Sequence, residues 1–157
     1  MAETAASPDA GEGLRLFTIG FTQKSAEQFF TTLIDAGVRR VVDVRLNNVS
    51  QLAGFTKRAD LPFFLQRIGD IGYVHRPELA PTQEILDALK KRGGDWRDYE
   101  REFTALLVDR RIEVTVAPDL RDGDCLLCSE ATPEQCHRRL VAEYLRDNWR
   151  MIEIRHL

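Results

Sequence analysis

The residue types best suited to chemistry crowd into one short stretch of the chain, Cys128-Ser129-Glu130 followed by Cys136-His137-Arg138. A cysteine two residues before a carboxylate, with an imidazole and a guanidinium close behind, brings together side chains that are candidates for a site. Cys128 supplies a nucleophile or a site wall, Glu130 and His137 supply acid/base candidates, and Arg138 supplies an anion binder. A second set is Asp43-Val44-Arg45. The two-residue period of a strand puts Asp43 and Arg45 on one side, opposite Val42 and Val44. Asp43 then reads as an acid/base or orienting group and Arg45 as an anion clamp. A mutual ion pair is the plainer alternative, since neither charge tolerates burial alone. Asn47, Asn48 and Ser50 add hydrogen-bonding capacity and also suit a simple turn. Tyr73 and His75 fall in step on one further strand and complete the candidate substrate-binding residues, with Arg45, Asn47 and Arg138.

Each of these residues also has a packing role open to it. His137, Leu140, Val141, Tyr144 and Leu145 follow a helical stripe, so His137 reads equally as a core histidine bonded to a backbone carbonyl. Cys128 and especially Cys125 read as small buried hydrophobes. Cys136, at a helix N-terminus, has either a depressed pKa or a packing role. Zinc finds only Cys128, Cys136 and His137, without the second ligand pair of a structural site unless His75 or Glu130 joins. Adjacent helical residues also project about 100° apart, which is awkward for one ion. Neither a metal nor a cofactor is therefore expected.

The elements that must position these residues follow from local rules. Leu14 to Gly20 is β-branched and aromatic and reads as a strand. Ser25 and Gln28 form a capping box for a helix whose apolar positions are Phe29, Phe30, Leu33 and Ile34, closed by Gly37. Arg40 to Arg45 is a second strand, parallel to the first through a right-handed crossover. A helix from about Asp60 to Arg67, a short strand at Tyr73-Val74-His75, a helix from Thr82 to Arg92 and one capped by Asp95 come next. Ile112 to Val116 reads as a strand or an extended connector. Cys125 to Cys128 is a short buried strand. Thr132, Pro133 and Gln135 then start a helix at Pro133 that runs to about Arg146, and Trp149 to Ile154 makes a last strand. Strands alternating with helices predict a single three-layer α/β domain over residues 14–157 with a mainly parallel sheet. Such sheets place ligands beyond the carboxyl ends of their strands.

Bulk properties bound the function. The chain has 157 residues, 43% of them hydrophobic, and a net charge of −3, which fits one globular domain and excludes a wholly basic nucleic-acid protein. No apolar run approaches the roughly 20 residues of a membrane span, and the first residues lack the basic and apolar regions of a secretory signal. Residues 1–13 have the composition of a frayed tail. Three cysteines, an odd number, argue against a disulfide scaffold and for a reducing, cytoplasmic setting. Charge is uneven: residues 38–76 hold seven Lys/Arg against three Asp, a local +4. Phe55 and Tyr73 interleave with these cations, as they would along a phosphate backbone; solvated helix and loop charges explain the same pattern.

Together these residues resemble the domain-of-unknown-function 488 family from about Leu16 to His156. The resemblance rests on Thr18-Ile19-Gly20, Val42-Asp43-Val44-Arg45 with Ser50, Tyr73 with His75, Leu79-Ala80-Pro81-Thr82 and, most specifically, Cys128-x-Glu130 with Cys136-His137-Arg138. Phe21 stands where the family pattern often has histidine, and Asn48 where it has proline. The resemblance implies an α/β sandwich with its motifs gathered at one sheet edge, and no assigned activity. The Val-Val-Asp-Val-Arg run is also similar to an early rhodanese strand. The phosphate cradle of rhodanese-like and cysteine-phosphatase sites needs an arginine six residues after the cysteine, where this chain has Glu134.

Two functional readings follow. One is an enzyme acting on an anionic or nucleotide-like small molecule in a cleft built from Cys128, Glu130, His137 and Arg138 together with Asp43 and Arg45. The other is a nucleic-acid- or protein-binding module that uses the 38–76 basic face, its Cys/Glu/His/Arg cluster pinning the last helix to the sheet. A homo-oligomer joined through an exposed Trp149 or Phe55 is a third, plainer option.

Overall fold

A computed structural model describes residues 13–49 and 54–157. The expected N-terminal tail, apart from Gly13, and Ser50 lie outside the described residues.

Five strands, β1 (Leu14–Gly20), β2 (Arg40–Asp43), β3 (Gly72–His75), β4 (Asp124–Cys128) and β5 (Ile152–His156), form one sheet in the order β3-β2-β4-β1-β5. Every neighbouring pair is parallel. The strands β1 and β2 are parallel as expected, but β4 lies between them. Burial on both faces explains the composition of the inner strands β1, β2 and β4, which carry apolar residues at odd and even positions alike. Leu14, Leu16, Val42, Val44, Leu126 and Cys128 pack on one face. There they meet α4 (Trp96–Arg110), α6 (His137–Asn148) and the half-buried side of α3 (Gln83–Lys90). Phe17, Ile19, Val41, Cys125 and Leu127 pack on the other, against α1 (Ala26–Ala36) and α2 (Leu61–Gly69). These are the three layers read from the sequence.

Local signals locate most helix ends. Ser25 and Gln28 close the capping box of α1, and Gly37 ends it at φ 79°. Thr82 caps α3 and Asp95 caps α4 through side-chain acceptors.

Two expectations need correction. The segment after Arg111 is neither a strand nor an extended connector: it is the single helical turn α5 (Ile112–Thr115), which buries Ile112 and Val116 one turn apart and leaves Val114 exposed. The last helix starts at His137, not Pro133, with Cys136 as an extended cap at φ −136°, ψ 139°. Tertiary bonds override the local capping box. Arg139 donates to the carbonyls of Pro133 and Glu134, Arg138 donates to that of Glu130, and Ser129 O accepts from Thr22 N. Carbonyls that would have opened the helix are already engaged.

Phe55 and Trp149 are half-buried rather than exposed, Phe55 packing against Phe29 and Phe30. Among the described residues no helix is long and apolar enough to cross a membrane.

Register aligns the carboxyl ends. Gly20 is level with Cys128, and Asp43 with both Leu127 and His75. The chain leaves β1 and β2 toward the α1/α2 face but leaves β4 toward α6, so the loop after Cys128 parts from both of its neighbours. Such a divergence opens a crevice at the sheet edge.

Candidate functional site

At the end of β2, Asp43 and Arg45 share the α1/α2 face and are both buried. Arg45 donates Nε to Asp43 Oδ1 and Nη2 to Oδ2, each at 2.9 Å. Its Nη2 also donates to Thr56 O at 2.7 Å, and the guanidinium lies 5.3 Å from the centre of the Phe21 ring. Tyr73 donates its hydroxyl to Asp43 Oδ2 at 2.6 Å. Burial, then the hydrogen bond to the Asp43 carboxylate and its charge, pushes the Tyr73 phenol well above its usual range. Both Asp43 oxygens are thus engaged, and the geometry is the mutual ion pair. His75 Nε2 bonds Arg45 O at 2.8 Å, fixing the backbone where β2 ends.

The second cluster sits across the sheet, at the junction of β4 and α6. Arg138 is fully buried. Its Nε donates to Thr18 Oγ1 at 3.2 Å, and its Nη1 to Glu130 O at 2.7 Å and to Cys128 Sγ at 3.1 Å. Among the described residues no carboxylate lies within ion-pair reach of it. Arg45 Nη1 and Arg138 Nη2 are buried donors with no partner there either, so both leave hydrogen-bonding capacity at the carboxyl edge. His137 Nε2 bonds Val44 O at 2.7 Å, tying α6 to the end of β2. Burial lowers the His137 imidazole to about 4 against the partial support of that carbonyl, so it is neutral at pH 7.

The sulfurs of Cys128 and Cys136 are in direct contact, their Cα atoms 7.6 Å apart, while Cys125 lies apart from them, free and buried. Burial pushes the Cys125 thiol up, which makes it inert. Cys128, Cys136 and His137 bring one ligand atom each to within 4.8 Å of one another. Two sulfurs and an imidazole are a donor set for a soft or borderline cation.

A hollow of about 150 Å³ opens beside this cluster. Cys128, Glu130 and His137 line it together with Arg45 and Asn47. Asp43, Tyr73, His75 and Arg138 are not part of its wall. The tip of β2 and the mouth of α6 therefore do meet at one opening, but the Asp43–Arg45 charges turn toward each other and Arg138 turns toward β1. Glu130 is exposed, with Lys90 Nζ 3.9 Å away. Trp96 and Tyr99, stacked at 4.9 Å and 22°, form part of the opposite wall. Three residues apart on α4, these two fit the spacing of an apolar helical stripe. Tyr99 does bury there, and spacing alone has no means of separating a wall residue from a core one. Gln135, Cys136 and Lys90 also reach the hollow. Cys136 was legible as a candidate; Gln135 and Lys90 carried only capping and solvent-facing signals.

No curated protein and no solved structure matches the chain. The family model described as domain of unknown function DUF488 matches residues 25–145, a span that takes in Asp43, Arg45, Tyr73, His75 and the whole Cys128–Arg138 segment while leaving out Thr18-Ile19-Gly20. With that match covering most of its length, and its motif residues at one sheet edge, the chain belongs to the DUF488 family.

Proposed function

We propose that this protein is an enzyme acting on a small anionic, nucleotide-like molecule bound in the hollow at the carboxyl edge of the sheet. The observation that carries the reading is the convergence of Cys128, Glu130 and His137 with the Arg45–Asn47 segment on a single opening. Chemistry belongs to the sulfur and imidazole cluster, with Glu130 as the accessible acid/base group. Anion attraction comes from Lys90 at the rim and from the Arg138 guanidinium, held in the low-dielectric sheet edge without a carboxylate partner among the described residues. The Trp96–Tyr99 stack offers a flat wall to a planar ring. A volume of about 150 Å³ is below the roughly 300–1,000 Å³ of sites that enclose a drug-sized ligand. The hollow therefore suits the reacting end of a nucleotide-like molecule, a single ring or an acidic group, the remainder extending into solvent.

The competing reading, a cluster that only fastens α6, is favoured by the bonds from Arg138 and His137 to β1 and β2. The two separate on Glu130, whose exposed side chain has, among the described residues, Lys90 alone as an ion-pair partner. A thermal-shift screen of nucleotides, sugar phosphates and small carboxylates, followed by turnover assays on the hits, is the test. A hit raises Tm with ligand concentration as mass action requires, and Glu130→Gln keeps the Tm of the free protein but loses turnover. Absence of any anion-dependent shift at millimolar concentrations, with the protein folded, overturns the proposal.

A further inference from the structure

The geometry points to a three-ligand cation site formed by Cys128 Sγ, Cys136 Sγ and His137 Nδ1, suited to zinc, with its fourth position open to the hollow. Several independent features of the cluster converge on it.

The first is the imidazole. A backbone carbonyl only accepts, so the 2.7 Å contact of His137 Nε2 with Val44 O puts the proton on Nε2 and leaves the lone pair on Nδ1. Among the described residues Nδ1 has no hydrogen-bond partner; a ring nitrogen of His137 lies within 4.8 Å of both sulfurs, and with Nε2 engaged by the carbonyl, Nδ1 is the one left to ligate. A far nitrogen held by a carbonyl is the usual outer-shell arrangement of a metal-binding histidine.

The second is the charge balance of Arg138. This guanidinium is fully buried, and its acceptors are a hydroxyl, a carbonyl and Cys128 Sγ at 3.1 Å. Of these, only the sulfur can carry a negative charge. A thiolate there compensates the guanidinium; a disulfide sulfur is neutral and leaves the charge buried alone. Backbone spacing agrees. The Cα atoms of Cys128 and Cys136 are 7.6 Å apart, beyond the span of about 4.4–6.8 Å that disulfides bridge. Two thiolates converging on one ion at about 2.3 Å each need no such close approach of the backbones.

The third is the cap geometry. Sequence spacing argued against a shared ion because neighbouring helical residues diverge. Cys136 is not helical: it is extended, and His137 is the first residue of α6, so the bend between them turns both side chains to one point. All three ligands line the hollow. Zinc sites with three protein ligands and an open position are the catalytic class, in which the ion polarises an oxygen or activates a water. That role rests on the reading of the hollow as a substrate site; binding of the ion does not. On binding, each thiol proton still present passes to solvent and each sulfur donates a lone pair to the ion, with no change of oxidation state.

The test uses the full chain, reduced, stripped with a chelator and titrated with Co²⁺, with folding checked by circular dichroism. The expected result is one equivalent bound, with thiolate-to-cobalt charge-transfer absorption and the intense visible bands of a four-coordinate ion, all removed by Zn²⁺. Cys128→Ser and Cys136→Ser each lose about half of the charge-transfer intensity, in proportion to the two thiolate ligands, while Cys125→Ala keeps all of it. A folded wild-type chain without charge-transfer bands overturns the site. So do bands unchanged in both serine variants. If a serine variant does not fold, the wild-type spectrum still decides, because the band intensity itself reports thiolate ligation. A positive titration beside a failed ligand screen retains the ion site and removes the substrate reading alone.

Discussion

A guanidinium shut away from water takes its charge balance from whatever surrounds it, and Arg45 and Arg138 find theirs by different means. Arg45 has a buried carboxylate in two-point contact; Arg138 has a sulfur. Asp43→Asn removes the first counter-charge while keeping the shape, so we expect a loss of about 3–5 kcal/mol of stability, the cost of a buried charge left alone. The measurement is a fall in urea midpoint at unchanged m. Adding Arg45→Met to that variant recovers a large part of the loss. An Asp43→Asn protein of normal stability that has lost turnover would instead return Asp43 to the chemistry. The charge of Arg138 reaches further, to His156, whose Nδ1 lies 2.6 Å from Thr18 Oγ1. Burial first, and then Arg138, lowers the His156 imidazole below its ordinary 6.5. The unfolded chain therefore binds that proton more readily. The resulting stability is present above pH 6.5 and is lost as pH falls through the lowered folded value. An NMR titration places the His156 midpoint below 6.5; a midpoint at or above it would refute the arrangement.

At the scale of elements, the edge that carries the site depends on how closely β1 approaches the loop after β4. Gly20 is level with Cys128, and a Cβ there would run into the Glu130 carbonyl and crowd Arg138 Nη1. The requirement is space, and both neighbours are themselves held, the carbonyl by Arg138 and Arg138 by Thr18. Gly20→Ala should cost about 1–3 kcal/mol, as other overpacked sites do, and should lower the affinity of the Cys128–Cys136–His137 cluster for Co²⁺. A Tm and a titration curve identical to wild type would show the loop free to move. What was legible in the sequence divides along the same line. The strand at Leu14–Gly20, the Ser25 capping box, the Gly37 stop and the Asp95 cap are local matters of a few residues, and all are present. The start of α6 was not legible, because the partners that detain Pro133, Glu134 and Glu130 are arginine side chains and their hold appears only in three dimensions. The side to which Asp43 and Arg45 turn was legible from strand parity. That they close on each other was one of the two readings open to them; which of the two holds, and that Trp96 and Tyr99 form a wall, depends on packing that spacing does not encode.

The whole molecule settles what the uneven charge means. Residues 38–76 carry +4 along the chain, yet folding supplies carboxylates from far away in sequence. Arg40 meets Asp124 at 2.6 Å and Arg76 reaches Asp119 at 3.5 Å, while Arg45 is held inside the core by Asp43, a pair already counted within that balance. Of the four cations left, Arg39, just before β2, lies against Gly123, Arg67 lies over the Phe63 ring, and Lys57 and Arg58 are on the short segment before α2. A polyanion gains affinity in proportion to the phosphates neutralised, with a logarithmic salt slope of about 0.7 per contact for a single strand. Scattered cations on a molecule of net charge −3 provide few such contacts. We therefore expect fluorescence anisotropy with a labelled single-stranded oligonucleotide to show a Kd weaker than about 10⁻⁴ M at physiological salt, the weak limit of non-specific binding. Lys57→Glu combined with Arg58→Glu should leave that result unchanged. Micromolar binding that falls steeply with salt and vanishes in the double variant would establish a phosphate-tracking surface, and the hollow would then have to be understood as its neighbour.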